Sequence, residues 1–329
     1  MTDPQKLRAE QDRQFAARYR QYTEYGQWSA FALATVVGSM EQIAALKTEE
    51  GARTVATREG DYRNWDPDVL AVDSVAEGYI FQRIEQFAKM LPGGFRATVL
   101  SEEAGRKQFD LGDQQVYIVS DPFDGSLLYK NDMGAFYFTT VAVFDRDGRH
   151  LATAIGDIVN RRVDFASDRG AWTARLDGDR LIDVKQPAPG SADAIAKAVL
   201  ETYLLKPKYL YQEADDAYSF AETLKPLLSS VKFIHANGGP GGFADVAFGR
   251  VDVYLAHKQP FIDVFSGLGV AQQAGVVVTT FDGEPLTFTP DVNQRLYVVC
   301  SANRTLHQAV LDCLRDIRAQ HNIEWRKVH

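Results

Sequence analysis

The spacing of apolar residues changes along this chain, and the change limits the folds that it can adopt. In the first part, apolar residues recur at helical spacing, which predicts a helix over 5–48 that is broken near Gly26 and a second helix over 69–91. The polar, turn-rich stretch over 50–68 is expected to form a loop. Beyond the second helix the apolar pattern becomes that of strands, so the chain must combine helices with at least one sheet.

The strand-like stretches that follow the second helix predict a mostly antiparallel sheet. They cover 97–103, 114–121, 135–145 and 151–159, with a hairpin over 161–174. After a linker-like stretch over 185–190, short strands alternate with helices expected near 217–229, 241–249, 263–274 and 305–319. We therefore predict two parts, an N-terminal one over 1–184 with helices and the antiparallel sheet, and a C-terminal α/β half over 185–329.

Charge and cysteine content narrow the function classes. The 329 residues carry a net charge of −8, which argues against nucleic acid or an anionic membrane as the main partner. The N-terminus lacks the apolar centre of a signal peptide, and the apolar stretch over 28–40 is too short to span a membrane. The two cysteines, Cys300 and Cys313, form no C-x-x-C pattern, so we expect reduced thiols in a cytoplasmic protein.

Acidic residues stand at the ends of several predicted elements, where side chains can converge on a cleft. They are Asp73 on the second helix, Glu102 and Glu103 after a strand, Asp121 and Asp124 after the next strand, and Asp263 at a helix start. Taken singly, each has a structural explanation, because Asp-Gly is a common turn and an aspartate before a helix is a common N-cap. Taken together, oxygen ligands without a neighbouring histidine or cysteine favour Mg²⁺ or Mn²⁺ over zinc.

The order of these acids resembles that of the inositol monophosphatase family. The chain has E-E at 102–103, then D-P-x-D-G-[ST] at 121–126, then a distant aspartate after an apolar stretch. Further segments similar to the family are "AVDSVAEGYIFQRI", "VDFASDRGAW", "DVAFGRVDVYL" and "GVAQQAGVVVTTFDGEPL", so the likeness spans roughly 65–315. That family belongs to the Mg²⁺-dependent, lithium-sensitive sugar phosphatases, together with fructose-1,6-bisphosphatase. The resemblance implies a layered αβαβα sandwich that combines α+β and α/β parts.

The resemblance also implies a phosphoric monoester hydrolase with two to three Mg²⁺, or Mn²⁺, in its active site. The implied metal ligands are Glu102, Asp121, the carbonyl of Phe123, Asp124 and Asp263, most of them in the first part. The implied catalytic residues are Asp73 and Ser126, which would activate water, and Glu102, which with Asp73 would help to hold the weakest ion. The N–H groups of Gly125 and Ser126 would hold the phosphate.

Departures from the family pattern fall where the substrate is expected. The implied contacts are Asn237, Gly238, Gly239, Ala256 and Lys258. Ala256 stands where inositol-selective members have an acidic residue, while Lys258 could hold a second anionic group. An inositol monophosphate or sugar phosphate is the first expectation. The alternatives are a bisphosphate of the fructose-1,6-bisphosphate or 3′-phosphoadenosine 5′-phosphate type, histidinol phosphate, and a non-catalytic relative that binds metal or sugar phosphate. The family resemblance also implies a homodimer.

Overall fold

The chain folds into two units, each built around its own sheet. The structure is a computed structural model that describes residues 4–57, 68–203 and 219–325. The first unit comprises Met1–Lys185 with Pro290–Val292, and the second comprises Gln186–Thr289 with Asn293–His329. Within the described residues, no helix is both long enough and apolar enough to cross a membrane.

The first unit combines five helices with ten strands in its described residues. The helices are α1 (Pro4–Tyr22), α2 (Gln27–Ala45), α3 (Thr48–Gly51), α4 (Ala71–Met90) and α5 (Ser126–Lys130). The strands are β1 (Thr54–Thr57), β2 (Asp68–Leu70), β3 (Phe95–Ser101), β4 (Gly105–Asp110), β5 (Gln114–Ser120), β6 (Phe138–Asp145), β7 (His150–Asp157), β8 (Arg162–Ser167), β9 (Gly170–Asp177) and β10 (Arg180–Lys185).

The predicted long helix is broken where the sequence indicated. Helix α1 gives way to a short 3-10 turn, and Gly26, with a φ of +100°, separates it from α2. The loop expected over 50–68 is wrong at its ends, because α3 and β1 occupy the first part and β1 pairs with β2. Residues 58–67 of that stretch lie outside the described residues.

Eight strands of the first unit form one large sheet. Its order is β10-β9-β8-β7-β6-β5-β3-β4, and every neighbouring pair is antiparallel except β3 and β5. The prediction of a mostly antiparallel sheet is therefore confirmed, although β4 and β10 were not predicted. The parallel pair matters because strands that run in the same direction end at the same edge.

Helix α2 packs directly on the large sheet. It is buried along most of its length and lies against β6, β7 and β8. Gly156 of β7 permits this approach, because a Cβ there would lie 2.6 Å from the Met40 sulfur and 2.7 Å from Val36 Cγ1. Aromatic side chains continue the core between the helices, with the rings of Phe31 and Phe87 stacked at 4.6 Å.

The second unit carries a smaller mixed sheet with helices on both faces. The α-helices in its described residues are α6 (Phe220–Thr223), α7 (Lys225–Leu228), α8 (Gly241–Ala247), α9 (Phe261–Ala274) and α10 (Arg304–His321). Its strands are β11 (Val199–Thr202), β12 (Phe233–His235), β13 (Val253–Pro260), β14 (Val277–Thr280) and β15 (Arg295–Ser301), in the order β12-β11-β13-β15-β14. The helix predicted near 217–229 is two short helices, and its first residues lie outside the described ones.

Side-chain alternation along β13 divides the second unit's core. Val253 and Leu255 pack with apolar residues of α10, including Leu306 and Val310. Tyr254 points the other way and meets the ring of Phe243 on α8 at a centroid distance of 5.1 Å. Because both of its faces are covered, most of the central strand β13 is buried.

His307 of α10 is a buried histidine that stabilises the second unit in its neutral form. It is 4 % exposed and lies between the hydroxyls of Thr279 and Ser301, at 3.0 Å from Nε2 and 3.1 Å from Nδ1. Burial lowers the pKa of His307 to about 4. An unfolded histidine titrates near its ordinary value of about 6.5, so below that pH the unfolded chain binds the extra proton.

We therefore predict that the contribution of His307 to the free energy of unfolding falls by about 2 kcal/mol as the pH decreases from about 7 to 5. The folded state resists a proton on His307 that the unfolded state accepts. Urea unfolding at both pH values measures the difference. The His307→Gln variant should show a smaller pH-dependent loss, whereas His321→Gln, at an exposed position on the same helix, should match the wild type. Equal slopes in all three proteins would contradict the assignment.

Candidate active site

Strands β3 and β5 bring two of the predicted acids to one edge of the large sheet. They pair in parallel and in register from Phe95 with Gln114 to Ser101 with Ser120. Glu102 and Asp121 are the next residues in each strand, and the Glu102 N–H donates to the Ser120 carbonyl at 3.3 Å. Both acids are buried, at 7 % and 1 % exposure.

The turn after β5 is fixed by its own backbone. Asp124 forms an isolated bridge with Phe138, in which the Asp124 N–H donates at 2.9 Å and the Asp124 carbonyl accepts at 3.0 Å. Asp121 Oδ1 accepts the N–H of Phe123 at 3.1 Å, and the Asp121 N–H donates to the Thr140 hydroxyl at 3.0 Å. These hydrogen bonds therefore fix the backbone of the turn that carries both aspartates.

Helix α4 supplies the partner of the hydroxyl that follows this turn. The Ser126 hydroxyl donates to Asp73 Oδ1 at 3.0 Å, with the Phe123 carbonyl as a more distant acceptor at 3.2 Å. Asp73 is fully buried, and its Oδ2 accepts the Leu70 N–H at 2.7 Å. The structure thus brings together Asp73 and Ser126, which lie 53 residues apart in the chain.

One helical turn beyond Asp73, Glu77 accepts hydrogen bonds from the turn that contains Glu102. Glu77 Oε1 accepts the Ser101 hydroxyl at 2.5 Å and the Ala104 N–H at 2.8 Å. These two donors flank Glu102, so Glu77 orients it indirectly. The motifs in the sequence indicated no role for Glu77, although its i, i+4 relation to Asp73 places both residues on one helix face.

The electrostatics of the turn disfavour an ionised Asp124. Loss of hydration raises the pKa of Asp124 to about 8, and the negative charge of Glu102 adds to the rise while the Gly125 N–H opposes it. Among the described residues, no lysine or arginine pairs with Asp124. A divalent cation would remove this conflict, because it offsets like charges and takes oxygen ligands. The all-oxygen donor set therefore fits Mg²⁺ or Mn²⁺.

Gly125 links the aspartates to α5 through a conformation that other residues rarely adopt. Its φ is +106°, and a Cβ at this position would lie 2.5 Å from the carbonyl oxygen of Phe136. The close approach of Phe136 and the left-handed φ both require glycine.

The remaining predicted residues lie in the second unit. Asp263 is in the first turn of α9. Asn237, at 5 % exposure, and Gly238 and Gly239 precede α8. Ala256 is fully buried in β13. Lys258 lies at an irregularity of the pairing between β13 and β15 and has a φ of +54°. Their roles toward a substrate stay predictions.

A second group of titratable side chains in this unit was missed by sequence analysis. Glu201 of β11, His235 of β12 and Asp245 of α8 each offer a ligand atom, and these atoms lie within 4.8 Å of one another. Burial raises the pKa of Glu201 to about 8, with the charge of Asp245 adding to the rise. The residues are scattered in the sequence, and the one available signal was a glutamate inside the apolar strand "VLET".

Known proteins are similar to this chain over most of its length. A family model described as the inositol monophosphatase family matches residues 28–319. A curated protein from Bacillus subtilis named inositol-1-monophosphatase is 22% identical over 287 residues, which are 87% of this chain and 92% of that protein.

Solved structures share the fold. The extragenic suppressor protein suhB from Bartonella henselae has a TM-score of 0.64 at 19% identity, covering 85% of this chain and 95% of that one. Inositol monophosphatase from Anabaena (Nostoc) has a TM-score of 0.63 at 17% identity, covering 89% and 95% of the two chains. These likenesses confirm the fold class that the sequence predicted.

We predict that Gly125→Ala destabilises the protein by about 1–3 kcal/mol, because alanine would be strained at this φ and would meet the Phe136 carbonyl. Gly134→Ala is the matched control in the same loop, since its Cβ would have no neighbour within 4 Å. Urea unfolding of both variants measures the difference. An equal effect of the two substitutions would show that the Gly125 conformation is not required.

Proposed function

Because the chain belongs to the inositol monophosphatase family, we propose that it is a Mg²⁺-dependent phosphatase that hydrolyses a small phosphate monoester with water. The main support for the proposal is a hydrogen bond to the buried Asp73. Its donor is Ser126, which lies two residues after Asp124 in the chain. Hydrolysis of a phosphate dianion needs a cation site and a group that accepts a proton from water, and the first unit offers residues for both.

Glu102, Asp121, Asp124 and the Phe123 carbonyl would hold the metal, and the family resemblance adds Asp263 as a further ligand. When bound, the ions supply positive charge that offsets the phosphate dianion and lowers the pKa of water. Occupancy by two or three Mg²⁺, replacement by Mn²⁺, inhibition by lithium and a homodimeric state belong to the same proposal and are supported by the family resemblance alone. The N–H groups of Gly125 and Ser126 would orient the phosphate.

Ser126 and Asp73 would move the proton. Ser126 donates to Asp73 Oδ1, while the Leu70 N–H holds the other carboxylate oxygen in place. A water proton passes to Ser126 Oγ as the Ser126 proton passes to Asp73, and the water oxygen forms the new P–O bond. The ester P–O bond breaks with its electron pair on the leaving oxygen, which takes a proton from solvent.

An inositol monophosphate or sugar phosphate is the proposed substrate class. The Bacillus subtilis relative is named inositol-1-monophosphatase, which supports this choice. A bisphosphorylated substrate is the second candidate, because Lys258 lies at a β-bulge, where side chains are re-aimed and binding sites often lie nearby. Histidinol phosphate is a further alternative. A panel of these phosphates, assayed by release of inorganic phosphate, separates the candidates.

Asp124→Asn should abolish Mg²⁺-dependent hydrolysis of p-nitrophenyl phosphate, because the amide cannot supply a carboxylate to the cation. The same change removes the conflict with Glu102, so the metal-free variant should be at least as stable as the metal-free wild type. Colorimetric turnover with and without Mg²⁺, together with urea unfolding, measures both effects.

The exposed Asp113→Asn is the control and should keep wild-type turnover. Activity near the wild-type level in Asp124→Asn would refute the metal role of this residue. A wild-type protein with no Mg²⁺-dependent turnover on any member of the panel would favour a non-catalytic, ligand-binding relative.

Lys258→Gln should raise the KM for a sugar bisphosphate about tenfold and leave the KM for the matching monophosphate unchanged, because only the former has a second anion to pair. Lys258→Arg, which keeps the positive charge, is the control and should stay within a few-fold of the wild type. Steady-state kinetics on the two substrates measure the ratio. An equal rise in KM for both substrates would mean that Lys258 does not bind a second anionic group.

A further inference from the structure

The second unit brings a histidine and two carboxylates together by strand register. Strands β11 and β12 are parallel, and Glu201 is paired directly with His235. Residues that are in register on neighbouring strands point to the same face of the sheet. Asp245 reaches the same place from α8, and the ligand atoms of all three lie within 4.8 Å of one another. None of these residues belongs to the proposed phosphatase site.

Glu201 is the residue that makes this group unusual. Its side chain is fully buried, and no residue in the described part of the chain donates a hydrogen bond to either carboxylate oxygen. His235 Nδ1 lies 3.4 Å from Glu201 Oε2, which is an ion-pair distance. A buried polar group without hydrogen bonds costs several kcal/mol, and the cost is larger for a charge. Both Glu201 oxygens therefore keep acceptor capacity that no well-aligned donor in the described residues uses.

The basic side chains near Glu201 offset its negative charge only in part. Arg250 donates from Nη1 to Asp245 Oδ1 at 2.8 Å, so its charge is committed to that aspartate. His235 faces Glu201, but about a third of its side chain is exposed. The group thus has a buried carboxylate at one end and a solvent-accessible imidazole at the other.

The donor set selects the kind of ion. An imidazole nitrogen combined with two carboxylate oxygens suits Zn²⁺ and its neighbours in the first transition row, whereas Mg²⁺ prefers oxygen alone. Tetrahedral zinc with bonds of about 2.0–2.2 Å separates its ligand atoms by about 3.3–3.6 Å. The 3.4 Å between His235 and Glu201 already matches this spacing. Asp245 would need to move by roughly one ångström, less than a side-chain rotamer change.

We propose that Glu201, His235 and Asp245 form a transition-metal site, with Zn²⁺ as its ion and water as the fourth ligand. The site ties β11 and β12 to α8. His235 and Asp245 also flank the segment that holds Asn237, Gly238 and Gly239, so an ion here fixes both ends of a loop predicted to meet substrate. The proposal does not depend on the phosphatase function.

The test is the zinc content of the full-length protein in the presence of excess Mg²⁺. Protein stripped with a chelator is equilibrated with Zn²⁺ and millimolar Mg²⁺, exchanged into metal-free buffer and analysed by mass spectrometry for metal per chain. Excess Mg²⁺ competes with Zn²⁺ for the oxygen-only site, and a variant of the acidic turn reports any zinc that is held there. The wild type should retain one Zn²⁺ per chain.

Matched variants locate that ion. His235→Ala and Glu201→Gln should weaken Zn²⁺ at least about tenfold, since even outer-shell partners of a metal contribute that much. His321→Gln, an exposed histidine, and Asp124→Asn, in the acidic turn, should both keep the wild-type zinc content. Zinc that persists in the first two variants, or that is lost in Asp124→Asn, would overturn the assignment.

A measurement on the wild type guards against variants that fail to fold. The X-ray absorption spectrum of protein loaded with one equivalent of Zn²⁺ in excess Mg²⁺ should show imidazole scattering from one histidine. A shell of oxygen alone, or no zinc retention at all, would refute the site. In that case Glu201 and His235 form a buried ion pair without a metal.

Discussion

The parallel pairing of β3 with β5 is the constraint on which the candidate active site depends. All other neighbours in the large sheet are antiparallel, and antiparallel strands end at opposite edges. Only the parallel pair can deliver two strand ends, and so Glu102 and Asp121, to one place. Acids gathered in this way lose hydration and repel one another, and the same two causes raise the pKa of Asp124, so a proton or a cation at this turn is favoured.

A parallel strand pair also brings polar side chains together in the second unit. Strands β11 and β12 are again a parallel pair in register, and they place Glu201 beside His235. The ligand types differ, however, because one cluster offers oxygen alone and the other adds an imidazole nitrogen. Hard Mg²⁺ and borderline Zn²⁺ prefer different donors, so the two clusters can select different ions from the same solution. The family match covers both regions of the chain, whereas the resemblance noted in the sequence concerned only the first cluster.

Elements with a buried face could be predicted from the sequence, and elements without one could not. Helix α2 and strands β5 to β8 bury one or both faces, so their sequences are rich in apolar residues. Strands β4 and β10 are the exposed edges of the sheet, and charged residues make up half of their sequences. The acidic turn was predictable because its residues are contiguous. Glu201, His235 and Asp245 are not, and only strand register and the packing of α8 bring them together.

Ala256 and Lys258, two of the predicted substrate contacts, lie at a backbone irregularity that residue types alone could not indicate. Ala256 pairs with Val298 and is enclosed by protein, so its methyl group offers no polar contact. Between Ala256 and Gln259, β13 carries one residue more than β15, which resets the alternation of its side chains. Lys258 occupies this bulge with a left-handed φ, a conformation that costs a non-glycine residue about 1 kcal/mol or more. The residue types around Lys258 do not indicate this bulge, so the backbone conformation there follows from the pairing of β13 with β15 rather than from the local sequence.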